Sequence, residues 1–145
     1  MMEGQHLTAH FCLEEFTQSA TAAKHGICNE PSIDAISNLQ NLCQQVLEPL
    51  REHYGKAIHI SSGYRCKELN RRVGGVANSQ HLKGEAADIL LPSVALGREW
   101  FRWIRDHCTY DQLLLERNTA GQYWIHVSCK RDLSQNRMVS AEYKK

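Results

Sequence analysis

Several features that would assign the chain to a class quickly are missing from its sequence. Its six cysteines, at positions 12, 28, 43, 66, 108 and 129, include no CxxC pair, which argues against a structural zinc ribbon. No apolar leader precedes them, since the chain opens MMEGQHLTAH without the hydrophobic stretch of a secretory signal. The six thiols are therefore expected to be reduced and mostly buried as small hydrophobes. The longest uncharged apolar-rich run, Ile89–Leu96, is too short for a bilayer and contains Pro92, so no transmembrane segment is expected. A basic excess is absent as well: the formal net charge of +1 argues against nucleic acid held by a broad positive field. There is no internal repeat and no low-complexity segment.

What is present is an ordinary globular composition, 42% hydrophobic and 23% charged over 145 residues. That length predicts one domain, residues 1–145, able to bury roughly 70% of its unfolded surface without disulfides. Residues 1–10 are expected to fray. Phe11–Ser19 suits a short helix, and Thr21–Pro31, with Gly26, Asn29 and Pro31, reads as a loop. A long helix follows, capped by Ser32, with Ile36, Leu39, Leu42, Cys43, Val46, Leu47 and Leu50 at helical spacing. Pro49 should kink or break it before Gly55 stops it.

Alternation predicts strands at Ala57–Ser61, Ala86–Leu91, Asp111–Glu116 and Tyr123–Cys129, with residues 117–122 turning the last two into a hairpin. Cys66–Arg72 reads as a short helix closed by Gly74-Gly75, Val76–Gly84 as a loop, and Ser93–His107 as a helix. A final strand over Arg137–Glu142 is compatible with the pattern, with Tyr143–Lys145 as tail. Helices come first, and the last strands follow one another without crossover helices. This predicts an α+β fold, a mostly antiparallel sheet with helices packed on one side.

The chemistry concentrates between Ser61 and Asp88, SSGYRCKELNRRVGGVANSQHLKGEAAD. His81 and Asp88 stand seven residues apart, with Gly84, Ala86 and Ala87 between them, and Trp124-Ile125-His126-Val127-Ser128 brings a second histidine in an apolar run. A catalytic zinc ion takes three ligands of these types and keeps one position for water. His81, Asp88 and His126 are thus the candidate metal ligands, His81 from a loop that Gly84 can bend and the other two from strands. The bland alternatives are satisfied histidines and a strand-end hydrogen bonder.

Here the residues resemble a known family. Ser61-Ser62-Gly63-Tyr64-Arg65, Leu69-Asn70, Gly74-Gly75, Ser79-Gln80-His81, Gly84, Ala86-Ala87-Asp88 and Trp124-Ile125-His126 are similar to the zinc D-alanyl-D-alanine carboxypeptidases, in particular their small single-domain members. The likeness runs from about Phe11 to Ser128. It implies the fold shared by hedgehog signalling domains and these peptidases, Zn²⁺ held by His81, Asp88 and His126, and a peptidoglycan stem peptide or muropeptide as substrate. It also implies Arg65 as the arginine that faces substrate and steadies developing negative charge. Ser79 would bind substrate or orient His81. Such a substrate lies outside the cytoplasm, where the chain is made, so release to the periplasm or cell wall by another route, lysis-linked release and action on cytoplasmic precursors all stay open. Oligomeric state is silent in the sequence.

One departure from the family pattern stands out. Better-known members carry Glu or Asp three residues before the last histidine as general acid/base, and here that residue is Tyr123, whose phenol is a poor base at neutral pH. Glu116, across the expected hairpin, is the candidate substitute, with Asp111 a weaker one. The face decides: paired with Trp124, Glu116 shares a face with His126, and paired with Tyr123 it points away. The missing acid also keeps open a zinc-holding binding module without turnover; a phage- or prophage-derived cell-wall lysin would be the same chemistry in a different setting. His59, Lys67, Arg71, Arg72, Trp100, Phe101 and Trp103 read as structural or solvated residues.

Overall fold

The computed structural model describes residues 4–143. Residues 1–3, at the start of the stretch expected to fray, and residues 144–145 of the expected tail lie outside them. The amino end is more ordered than expected. β1 (His6–Thr8) and β2 (Phe11–Cys12) form an antiparallel hairpin. Its Leu7 and Phe11 are buried in the core. At its turn, His10 donates its backbone N–H to Glu48 Oε1 at 2.8 Å, and its ring Nδ1 lies 2.6 Å from Glu48 Oε2. Burial of two large side chains outweighs the fraying of a short strand pair.

The expected helix over 11–19 is reduced to α1 (Glu14–Thr17), which buries Phe16. The expected loop over 21–31 instead begins with α2 (Ala20–His25). Its Ser19 Oγ accepts from Ala22 N–H, and its chain stops at Gly26 with φ 64°. The long helix is present as α3 (Ile33–Leu42) and α4 (Glu48–Tyr54), joined by one wider π turn, Cys43–Leu47. Pro49 has no N–H to give the carbonyl one turn back. The ladder widens instead of breaking, with Glu48 N–H reaching Cys43 O, and Gly55 closes it at φ 61°.

The chain continues through β3 (His59–Ser62), α5 (Lys67–Arg72), a 3₁₀ turn (Gln80–Lys83), β4 (Ala86–Leu90) and α6 (Val94–His107). β5 (Gln112–Arg117), β6 (Tyr123–Ser128), a second 3₁₀ turn (Leu133–Gln135) and β7 (Val139–Glu142) complete it. The sheet order is β3-β4-β6-β5-β7. Its first three pairings are antiparallel; β7 lies parallel to β5, because both edges of β6 are already taken. Tyr143 still donates to Leu115 O, so the paired edge extends one residue into the expected tail.

Period-two alternation divides the sheet. Ala87, Ile89, Leu113, Leu115, Ile125 and Val127 face the core, against Leu39, Leu42, Val46 and Leu47 of the long helix and Trp100, Phe101 and Ile104 of α6. The helices thus cover one face, as an α+β architecture requires. The other face keeps Asp88, Leu90, Leu114, Glu116, Trp124 and His126. Among the described residues, no helix is long and apolar enough to cross a membrane. Cys43, Cys108 and Cys129 are buried thiols, Cys12 and Cys66 are partly covered, and Cys28 is exposed, so half of the six are buried rather than most. Burial pushes the Cys108 thiol up to about 12.

Candidate metal centre

Three segments, the first 3₁₀ turn, β4 and β6, meet on the open face. His81 rides on the 3₁₀ turn, whose start is capped by Ser79 Oγ accepting from His81 N–H at 3.2 Å. The turn ends at Gly84, with φ 74°. A Cβ there would also stand 2.4 Å from Ala35 O, so only glycine lets this turn sit against α3. The His81 side chain is 3% exposed, and its Nδ1 lies 2.7 Å from Gly63 O. A carbonyl only accepts, so Nδ1 carries the proton and Nε2 presents its lone pair to the open face.

Nε2 of His81 stands 3.4 Å from Asp88 Oδ1, and His126 Nδ1 stands 3.0 Å from the same oxygen. Asp88 is positioned by its neighbours on both sides, pairing with Ser62 of β3 and with His126 of β6. The register of β3 shifts between Ile60 and Ser62, a bulge that leaves Ser61 Oγ to donate to Asp88 O. Burial alone would raise the Asp88 carboxyl. The His126 and His81 rings beside it outweigh burial and hold the group well below the usual carboxylate range. One ligand atom from each of His81, Asp88 and His126 lies within 4.8 Å of the other two. Two imidazole nitrogens and an ionised oxygen, converging with one side open, form a donor set that fits a zinc ion.

Arg65 enters from the loop after β3. Its Nε donates to Ser62 Oγ and its NH1 to Asn70 Oδ1, both at 3.1 Å, while NH2 lies 3.5 Å from Asp88 Oδ2. Burial lowers its pKa, Asp88 opposing, and a guanidinium stays charged under such a shift. Asn70 is itself buried and anchored by donating to Val76 O. A Cβ on Gly75 would sit 2.1 Å from Asn70 Oδ1 and 2.9 Å from Arg65 NH1, so the second glycine of the pair makes room for this seat. Asn70 and Gly75 stood in the motif without a role; what they do depends on the loop folding back onto α5.

Glu116 pairs with Trp124, and Leu114 pairs with His126. Glu116 therefore shares the open face with His126 as its diagonal neighbour across the ladder, about 7–8 Å between backbones. Among the described residues its carboxylate is partly exposed and has no hydrogen-bond or ion-pair partner. Tyr123 pairs with Arg117 and packs toward the core, away from the centre. Asp111, the weaker candidate, is fully buried and gripped by Arg137, so it is not available to a water. Ser79 serves the turn that carries His81, and it also lines a cleft of about 260 Å³ beside His126 that includes Gln80, Gln112 and Arg137. Nothing in the sequence pointed to the last two. His59 is exposed at the far end of β3, and Trp100 and Phe101 are core.

Residues 9–128 match the family described as Peptidase M15. A search of curated proteins finds no match. The matched span runs from the turn of the amino-terminal hairpin to the end of β6 and so contains all three convergent side chains, Arg65 and Glu116. By that match the chain belongs to the Peptidase M15 family, the peptidases of zinc-dependent D-Ala-D-Ala carboxypeptidase type.

Proposed function

We propose that this chain is a zinc metallopeptidase acting on peptidoglycan stem peptides, cutting a D-Ala-D-Ala end or another bond of the stem. The observation that carries the reading is the convergence of His81, Asp88 and His126 within 4.8 Å on an open sheet face. His81 Nε2, the Asp88 carboxylate and His126 Nδ1 would hold the ion. Zinc bound there supplies a Lewis acid for the scissile carbonyl and lowers the pKa of a water to about 7.

The chain's own side chains do the rest. Glu116 takes the proton of the attacking water and delivers it to the departing amine, a role supported by its shared face with His126 and its unengaged carboxylate. Arg65 steadies the developing oxyanion. Because Ser62 and Asn70 already hold its guanidinium, little reorganisation is needed as charge builds. Ser79 keeps the His81 turn in place, and Gly63 O fixes the tautomer that leaves Nε2 free to ligate.

The test is digestion of muropeptides by the zinc-loaded protein, with and without chelator. Cleavage should stop on chelation and return with zinc. Glu116→Gln should lower the rate about 10²–10⁴-fold with zinc content unchanged. No cleavage by the loaded protein sinks the reading. Cleavage untouched by Glu116→Gln removes Glu116 as the base and leaves the metal centre standing.

A further inference from the structure

The cleft beside His126 contains a cation that the proposed chemistry does not use. Arg137 lies beyond the end of β6, where the chain folds back to start β7. Its backbone N–H and Nε donate to Asp111 Oδ1 at 2.9 and 3.0 Å, and its NH2 donates to Asp111 Oδ2 at 2.7 Å. One carboxylate thus fixes both the backbone and the fork of this arginine. The following residue, Met138, adopts φ 56°, a left-handed conformation uncommon for a side chain of its kind, and its N–H is bonded to Tyr110 O. Aim and backbone are both set before any ligand arrives.

The guanidinium has more to give. Among the described residues NH1 has no partner, and the Arg137 side chain is 53% exposed while Asp111 is wholly buried. Lys130 Nζ stands 3.8 Å from Asp111 Oδ1, so two cations oppose one buried charge and Arg137 is not fully neutralised by its anchor. Around it are neutral hydrogen-bonding side chains, Asn78, Ser79, Gln80 and Gln112, with His126 in the same wall.

The position along the strand says what would bind. On the open face of β5, Gln112, Leu114 and Glu116 follow one another, and Leu114 is abreast of His126. Gln112 and Glu116 therefore flank the metal centre in opposite directions, each about 7 Å along the strand. Glu116 guards one flank, and Gln112 with Arg137 guards the other. In an amide substrate, a free α-carboxylate on the residue that leaves lies within one residue of the scissile carbonyl, inside the reach of an arginine on that flank.

We propose that Arg137 is a specificity residue of this site, binding through its free edge a free α-carboxylate on the leaving residue of the peptide. This rests on the peptidase reading above for the meaning of "leaving residue", and not for the binding itself. Two sources share the chemistry: a carboxy-terminal residue, and a glutamate linked through its γ-carboxyl, which keeps its α-carboxylate free. A guanidinium edge meets either in the same geometry.

The experiment titrates zinc-loaded protein with two peptide pairs, following binding by NMR and cleavage in parallel. One pair ends in D-Ala-D-Ala with a free carboxylate or a carboxamide. The other contains L-Ala-γ-D-Glu with a free α-carboxylate or its carboxamide. Wild type should prefer the carboxylate form of at least one pair by about tenfold or more, and the preferred pair identifies the source. Arg137→Gln should abolish that preference while leaving affinity for the carboxamide unchanged. Because this change strands Asp111, the double variant Asp111→Asn with Arg137→Gln is run beside it. A purely structural role would weaken both members of a pair equally. Equal weakening, a preference that survives the substitutions, or no preference in wild type overturns the proposal. Preference without any cleavage sinks the peptidase reading and leaves this one intact.

Discussion

Asp88 on β4 and Asp111 just before β5 are both largely withdrawn from solvent, and each is faced by groups that are or can become cations. Their bonding differs. Asp111 accepts three bonds from Arg137 at 2.7–3.0 Å, with Lys130 in addition, and is closed off entirely. Asp88 has two imidazole nitrogens at 3.0 and 3.4 Å crowded on one oxygen and a guanidinium at 3.5 Å from the other. One carboxylate is satisfied by the chain; the other has lone pairs and neighbouring nitrogens directed at common space. The first arrangement holds a segment in place, and the second is suited to accept a cation from outside. What separates them is partner type, since an arginine fork cannot ligate a metal and a neutral imidazole can.

The widest consequence of the contrast is at Asp88. Asp88→Asn keeps the shape but removes the anionic ligand, and should reduce zinc affinity by more than the about 10–100-fold that follows loss of an outer hydrogen-bond partner. Dialysed variant protein assayed by atomic emission should be largely metal-free, with its circular dichroism unchanged. A variant that retains zinc like wild type would remove Asp88 from the ligand set. Asp111→Ala should do the reverse. It deletes the anchor of Arg137 and of the chain entering β7, at a cost of about 2–3 kcal/mol. For a chain of this length that lowers Tm by about 4–12 °C, with zinc content unchanged. Equal Tm would show that the clamp does not hold the carboxy-terminal strand.

The two aspartates also differ in how visible they are beforehand. Asp88 announces itself because metal ligation draws on few residue types, and the flanking glycine and alanines narrow the choice further. The strands β3 to β6 and the cap Ser32 are legible for similar local reasons: alternation and side-chain hydrogen bonds are written within a few residues. Asp111 is opaque because its partner Arg137 is 26 positions away, across a turn that only tertiary packing closes. The hairpin β1–β2 is not legible because two- and three-residue strands show no period, and α2 is masked because it buries only Ala22, although Ser19 and Gly26 are there to cap it. The π turn needed Pro49 weighed against continued core burial. Glu116 falls between: its chemistry was readable, but its face depended on one residue of register. That register comes from the turn at 118–122, where Asn118 and Gln122 pair and Gly121 takes φ 85°.

The smallest effect separates the aspartates by acidity. Hydrogen bonds from the Arg137 side chain pull Asp111 down to about 2, against the opposing pull of burial. A carboxyl depressed in the folded state contributes its full stabilisation above its unfolded value, near 3.9, and loses it as pH falls through the folded value. The clamp should therefore be intact at pH 5 and weaken between about pH 4 and pH 2, by on the order of 1–2 kcal/mol. Metal-free protein is the right material, because proton competition at the zinc ligands then plays no part. Asp111→Asn removes the titrating group, so the stability difference between wild type and variant, measured by urea unfolding, should shrink as pH drops through this window. A difference that stays constant from pH 5 to pH 2.5 would mean that Asp111 is not held ionised by Arg137. Its resemblance to Asp88 would then be one of burial alone.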